Sequence, residues 1–189
     1  MNDKFAELTL ILLVSLGLLL ARGIFSYYKR GYVEKHDMEM QILFALSIIG
    51  LVILPVADLF STWLDFADLP FSQVLAWVGL SIGVVAVVFF CCVLRDFIRY
   101  RGNNKLDGGV FSFIRHPLYT ALLLWAVAHS LLLQNWLADV AALLVFSGMY
   151  LLRVPRDEQY LLERFGERYL DYMENTGALW PRLNLVRDR

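Results

Sequence analysis

Residues 117–152 read PLYTALLLWAVAHSLLLQNWLADVAALLVFSGMYLL. The stretch holds one formal charge, Asp139, and one adjacent pair of side-chain amides, Gln134-Asn135. Each flank is apolar, and a helix needs about 20 such residues to cross lipid. The pattern predicts a short helical hairpin of 117–138 and 140–152, turning within 134–139. Three further apolar stretches precede it: 8–21, continued by 23–28 past a snorkelling Arg22, then 41–57 and 69–94. Barrel-type alternation is absent, and helices and closed barrels are the only spanning solutions. The expected fold is all-α: a polytopic membrane protein with five transmembrane helices, the last two a short hairpin, and a C-terminal cytoplasmic amphipathic helix. The first segment is expected to stay uncleaved, because residues 1–7 carry Lys4 against Asp3 and Glu7 and no small-x-small site precedes Arg22.

Composition agrees. Hydrophobic residues make up 59% of the 189 and charged residues 19%, whereas soluble domains average about 45–50% and about 25%. A soluble globule of this size could not bury that excess. The net charge of −1 excludes a nucleic-acid binder acting through bulk charge. Cys91 and Cys92 are neighbours in an apolar run; they cannot staple distant segments, no metal-ligand spacing accompanies them, and they read as reduced packing residues.

The basic residues are one-sided. Arg22, Lys29, Arg30 and Lys35 follow the first apolar stretch. Arg95, Arg99, Arg101, Lys105 and Arg115 follow the third. Arg153, Arg156, Arg164, Arg168, Arg182, Arg187 and Arg189 follow the fifth. Of 17 Lys and Arg, only Lys4 falls on the other side, while the alternate loops 58–70 and 134–139 carry acids alone. The asymmetry puts the N-terminus outside and the C-terminus in the cytoplasm, and so requires an odd number of spans. The expected location is an integral membrane one, the inner (cytoplasmic) membrane in a bacterium. One membrane domain, 1–189, is expected, with three transmembrane helices in 1–94 and the site-bearing region in 95–189. Trp63, Trp136 and Trp180 suit interfacial anchoring. His129, mid-helix one turn after Trp125, reads as a neutral histidine packed between helices. No small-xxx-small pattern stands out, and oligomeric state stays open.

The tail from 155 to about 174 is amphipathic, with Leu161, Phe165, Tyr169 and Tyr172 at helical spacing and Gly177 then Pro181 as stop signals. Ahead of the hairpin runs Gly108-Gly109-Val110-Phe111-Ser112-Phe113-Ile114-Arg115-His116-Pro117-Leu118-Tyr119. Pro117 suits the first position of a helix, whose free N–H groups beside Arg115 and His116 would form an anion site. A hairpin returns to the side on which it began, so Arg153 and Asp157 should lie near His116.

Taken together, Arg115-His116-Pro117-x-Tyr119, Asp157-Glu158-x-x-Leu161 and Phe165-Gly166-x-x-Tyr169-x-x-Tyr172 resemble the isoprenylcysteine carboxyl methyltransferase family, over roughly 103–183. The resemblance implies an integral membrane methyltransferase using S-adenosylmethionine, bound between the last two helices and the tail. By position it assigns the cofactor to Asn103, Asn104, Lys105, Leu106, Phe111, His116, Pro117, Leu118, Tyr119 and Asp157. It puts Arg153 on the substrate side as the catalytic residue. The sequence departs from the family pattern at Asn103-Asn104-Lys105-Leu106, which lacks a histidine, at Phe111 for tyrosine, at Asp157 for glutamate and at Ala121 for glycine.

The implied chemistry suits these residues. Amides at the helix start, with Arg115 or His116, would hold the cofactor carboxylate. Asp157 or Glu158 would pair its ammonium or ribose hydroxyls, and Tyr119 and Phe111 would face adenine or sulfonium. A carboxylate acceptor is already an anion, so methyl transfer to it needs positioning and dryness more than a base. The implied partners are a lipophilic small-molecule or lipid substrate and membrane lipids, with no nucleic acid and no metal. Three alternatives stay open: a phospholipid amine methyltransferase, a reductase-like membrane enzyme using NADPH, and a non-catalytic membrane subunit that keeps the fold.

Overall fold

A computed structural model describes residues 62–70, 72–100 and 108–182, with the single positions 42, 45, 49 and 53. Apart from those four positions, the expected spans over 8–28 and 41–57 lie outside the described residues. So do Asn103, Asn104, Lys105 and Leu106, and so does the orientation of the N-terminus.

The described chain is helical, with no strand beyond two isolated bridges. A 3-10 helix, Thr62–Ala67, leads to α1, Gln73–Tyr100. A second 3-10 helix, Gly109–Ser112, precedes α2, Pro117–Leu133. Then come α3, Trp136–Phe165, and α4, Glu167–Asn175. By length and composition, Gln73–Arg99 and Trp136–Phe165 can cross a membrane, and Pro117–Leu133 is a shorter apolar helix. Only 28% of the apolar window in each long helix is buried. Val74, Trp77, Val84, Val85 and Val88 on α1 and Leu143, Leu144, Leu151 and Leu152 on α3 are exposed. The core helix of a soluble protein would hide such residues, so these faces belong against lipid and the protein is integral to a membrane.

α1 and α2 run antiparallel and pack most closely. Ala76, Gly79, Gly83, Ala86, Phe90 and Val93 form the buried stripe of α1 at three- and four-residue spacing. A Cβ at Gly79 would fall 2.8 Å from Cβ of Leu131, so the small stripe sets the approach of the two helices. This stripe did not stand out in the sequence. Phe90, Tyr119, Leu122, Trp125, Met149 and Val154 join the three helices into one core.

The hairpin turn is tighter than expected. Gln134 takes the left-handed conformation that ends α2, and Asn135 caps α3 by accepting from the amides of Leu137 and Ala138, both at 3.2 Å. The pair is buried because it also locks the start of α1. Gln134 Oε1 accepts from the Ser72 amide at 2.7 Å, its Nε2 donates to the Ser72 carbonyl at 3.0 Å, and Asn135 Nδ2 donates to Asp68 Oδ1 at 3.0 Å.

No break separates the segment 140–152 from the tail helix expected from Pro155. α3, 30 residues long, continues through Pro155 to Phe165 and stops at Gly166, whose φ of 56° favours glycine. Proline removes one backbone hydrogen bond, and a helix packed on both sides of it bridges that loss. The fifth apolar segment and the first half of the tail helix are therefore one helix. Gly177 stops nothing, since α4 has already ended at Asn175.

Candidate functional site

Pro117 occupies the first position of α2, and His116 before it leaves the helical region at φ −121° and ψ 60°. That turn aims the His116 ring at the last turns of α3. His116 Nε2 lies 3.0 Å from Oε1 of Glu158, and the same oxygen accepts from Arg115 Nε at 3.1 Å. A carboxylate only accepts, so Nε2 carries the proton, and in the neutral ring Nδ1 is left as an acceptor. One turn earlier on α3, Arg153 Nε stands 3.0 Å from Asp157 Oδ1 in an i,i+4 ion pair, and both residues are buried. Asp157 lies within Coulombic range of His116. Arg153 and Asp157, expected near His116, stand at the same end of the helices, and Arg115 and Glu158 join them there. Tyr119 stands edge-on to His116 and to Tyr150, with ring centroids 6.0 Å and 6.1 Å apart. Leu118 is half-buried on the same turn and packs against the core.

The tail is woven onto this motif rather than lying apart from it. The amides of Arg115 and His116 donate to the carbonyls of Gly177 and Ala178 at 2.8 and 3.0 Å. Arg115 Nη1 donates to the carbonyls of Met173 and Thr176, each at 2.7 Å. Thr120 Oγ1 donates to the Leu179 carbonyl at 2.6 Å, and the Tyr172 hydroxyl to the Phe111 carbonyl at 2.5 Å. This revises the expected anion site. Arg115 spends Nε on Glu158 and Nη1 on the tail, Pro117 has no N–H, and Tyr119 and Thr120 donate to the His116 carbonyl. Among the described residues, Leu118 supplies the one first-turn amide without a protein acceptor.

Two residues that sequence reasoning left out belong to the same region. Tyr169 is buried, and its hydroxyl has no hydrogen-bond partner. Burial, with Glu158 next in effect, pushes that hydroxyl above the usual phenol range. The Phe-Gly-x-x-Tyr spacing was the signal that could have found it. Asp96, buried near the end of α1, accepts from the Val110 amide at 2.9 Å. A lone acid after an apolar run gave no such sign. His129, as expected, is packed inside; neither ring nitrogen has a partner, nor does the Trp125 indole one turn away. No three His, Cys, Asp or Glu side chains among the described residues are grouped to hold a metal.

Residues 95–163 match the model of the isoprenylcysteine carboxyl methyltransferase family. A probable protein-S-isoprenylcysteine O-methyltransferase of Oryza sativa subsp. indica is 34% identical over 113 residues, 57% of this chain and 58% of that protein. The protein-S-isoprenylcysteine O-methyltransferase of Homo sapiens is 27% identical over 145 residues, 67% of this chain and 51% of that protein. The cobalt-zinc-cadmium resistance protein CzcN of Cupriavidus metallidurans is 30% identical over 127 residues, 67% of this chain and 55% of that protein. The chain spans about half the length of the curated relatives it matches. The matched segment takes in the end of α1, all of α2 and nearly all of α3, and so Arg115, His116, Arg153, Asp157 and Glu158. Over residues 95–163 the chain is similar to the isoprenylcysteine carboxyl methyltransferase family.

Proposed function

We propose that the protein is a membrane methyltransferase that uses S-adenosylmethionine to methylate a carboxylate on a lipophilic acceptor. The observation that carries this reading is the convergence of His116, Glu158, Arg153, Asp157 and the orphaned Tyr169 hydroxyl under the tail, at one end of lipid-facing helices. The donor set fits the cofactor. The Leu118 amide and the Tyr169 hydroxyl are donors that no protein group takes up, and Asp157 and Glu158 offer carboxylates. Tyr119 and Phe111 offer aromatic faces to a sulfonium. The bound cofactor supplies an electrophilic methyl group.

The protein's own residues bind, orient and exclude water. Arg115 holds the tail over the motif. Glu158 fixes the His116 ring. Arg153, kept in place by Asp157, orients one acceptor oxygen while the other attacks. Such catalysis is positioning in a dry site. In this reading the acceptor arrives from the lipid and the cofactor from the cytoplasm. Five transmembrane helices, an outside N-terminus and a cytoplasmic tail accompany it, supported by the placement of 16 of 17 basic residues.

One observation favours a second reading. With Nε2 held by Glu158, Nδ1 of His116 can take a proton, which an amine acceptor would require. Incubating the purified protein with membrane lipid extract and methyl-labelled cofactor separates the two. A label released as methanol by mild alkali is an ester and supports the carboxylate. Alkali-stable label on an amine supports the second reading. No label transfer, with no stabilisation by S-adenosylhomocysteine, would leave the non-catalytic subunit as the better account.

A further inference from the structure

We propose that Asp96 is a positioning residue whose buried carboxylate fixes the Gly109–Ser112 turn and, through it, the placement of Arg115 and His116. Its effect on cofactor binding rests on the methyltransferase reading; its effect on the turn does not.

Asp96 is 2% exposed at the end of a long apolar helix. A carboxylate there is retained only if its oxygens are satisfied. Oδ1 accepts from Arg95 Nε and Nη2 at 3.2 and 3.1 Å, but the Arg95 side chain is 70% exposed, so solvent screens that pair. Oδ2 accepts from the Val110 amide at 2.9 Å, across 14 residues of sequence. The backbone beside it is shaped to this contact. Gly109 has φ +60°, and a Cβ there would fall 2.1 Å from Asp96 Oδ2. Only glycine allows both the conformation and the approach.

From Val110 the constraint reaches the motif in a few residues. The Val110 carbonyl accepts from the amides of Phe113 and Ile114 at 3.1 and 3.2 Å. Ile114 forms the bridge with Gly177, and Arg115 and His116 follow at once. The turn is therefore held from two sides, by Asp96 on α1 and by the tail. Loss of the α1 anchor leaves the turn held by the tail alone, and Arg115 and His116 held by the tail and by Glu158 on α3.

The test uses the full-length protein in detergent, with Asp96→Ala, Asp96→Asn and Gly109→Ala. Amide hydrogen exchange is read over 108–116, and S-adenosylhomocysteine binding by calorimetry. Asp96→Ala should raise exchange at Val110–Ile114 and weaken binding about tenfold. Asp96→Asn keeps an oxygen for the Val110 amide and should restore both to within about threefold. Gly109→Ala should reproduce the alanine defect, and combined with Asp96→Ala should add only the strain of a side chain at positive φ, because the atoms its Cβ would strike are gone. Binding and exchange unchanged in Asp96→Ala would overturn the proposal, as would an asparagine variant no better than alanine. A wild-type protein that binds no S-adenosylhomocysteine would sink the methyltransferase reading instead. Exchange alone would then decide the role of Asp96, with unchanged protection in Asp96→Ala overturning it.

Discussion

Oε1 of Glu158 lies 3.0 Å from His116 Nε2 and joins two helices whose paired residues are 42 positions apart. The same oxygen takes Arg115 Nε, so one carboxylate orients both residues ahead of Pro117. Charge-assisted bonds in a half-buried setting are stronger than surface pairs. Glu158→Gln keeps the shape and loses the charge. It is expected to weaken S-adenosylhomocysteine binding about tenfold, on the order of 1.5 kcal/mol. A calorimetric dissociation constant equal to wild type would remove Glu158 from the site.

Arg153 and Asp157 are buried and paired along one helix face. Arg153→Ala should abolish most turnover, by about a hundredfold or more, while cofactor affinity changes less than about threefold. Asp157 would be left buried without its cation, so thermal stability should fall as well. Arg153→Lys keeps the charge without the planar fork, and is expected to recover stability more than turnover. Cofactor binding lost with turnover intact would reverse the assignment.

The Tyr169 hydroxyl is buried with no partner. A buried unsatisfied hydroxyl costs about 1–3 kcal/mol. Tyr169→Phe should therefore match or exceed the wild-type melting temperature without ligand, yet gain less stabilisation from S-adenosylhomocysteine. Because burial raises the phenol above its usual range, the wild type should lose stability as pH climbs past the unfolded-state value of about 10. The phenylalanine variant should lack that part of the alkaline loss. Equal ligand-induced shifts in the two proteins would show that the hydroxyl does not meet the cofactor.

Asn135 serves the fold at the far end of the hairpin. It caps α3 and reaches Asp68. Asn135→Ala removes the cap and one cross-link, and should cost about 1–3 kcal/mol. Cofactor affinity, measured on the fraction that remains folded, should stay as in wild type. A thermal midpoint equal to wild type would contradict the role given to this turn.

Much of this protein was legible in its sequence because lipid is a demanding solvent. Long apolar runs must be helices there, so the hairpin, the Gln134-Asn135 break and the juxtaposition of His116 with Arg153 and Asp157 followed from composition and spacing. Motif spacing alone pointed to the methyltransferase family. Pairing was not legible in the same way. Helix continuity through Pro155 depends on packing on either side of the proline, which no local propensity encodes. The small stripe at Ala76, Gly79, Gly83 and Ala86 acquires meaning only when α2 lies against it. Arg115 looked like an anion ligand because its partners, the carbonyls of Met173 and Thr176, are backbone groups about 60 residues away. Backbone acceptors leave no signature in residue identity. Sequence thus determined which segments are helical and which chemistry gathers at one end. Tertiary structure decided which donors remain for a ligand, because hydrogen bonds between distant backbone and side-chain groups consume the rest.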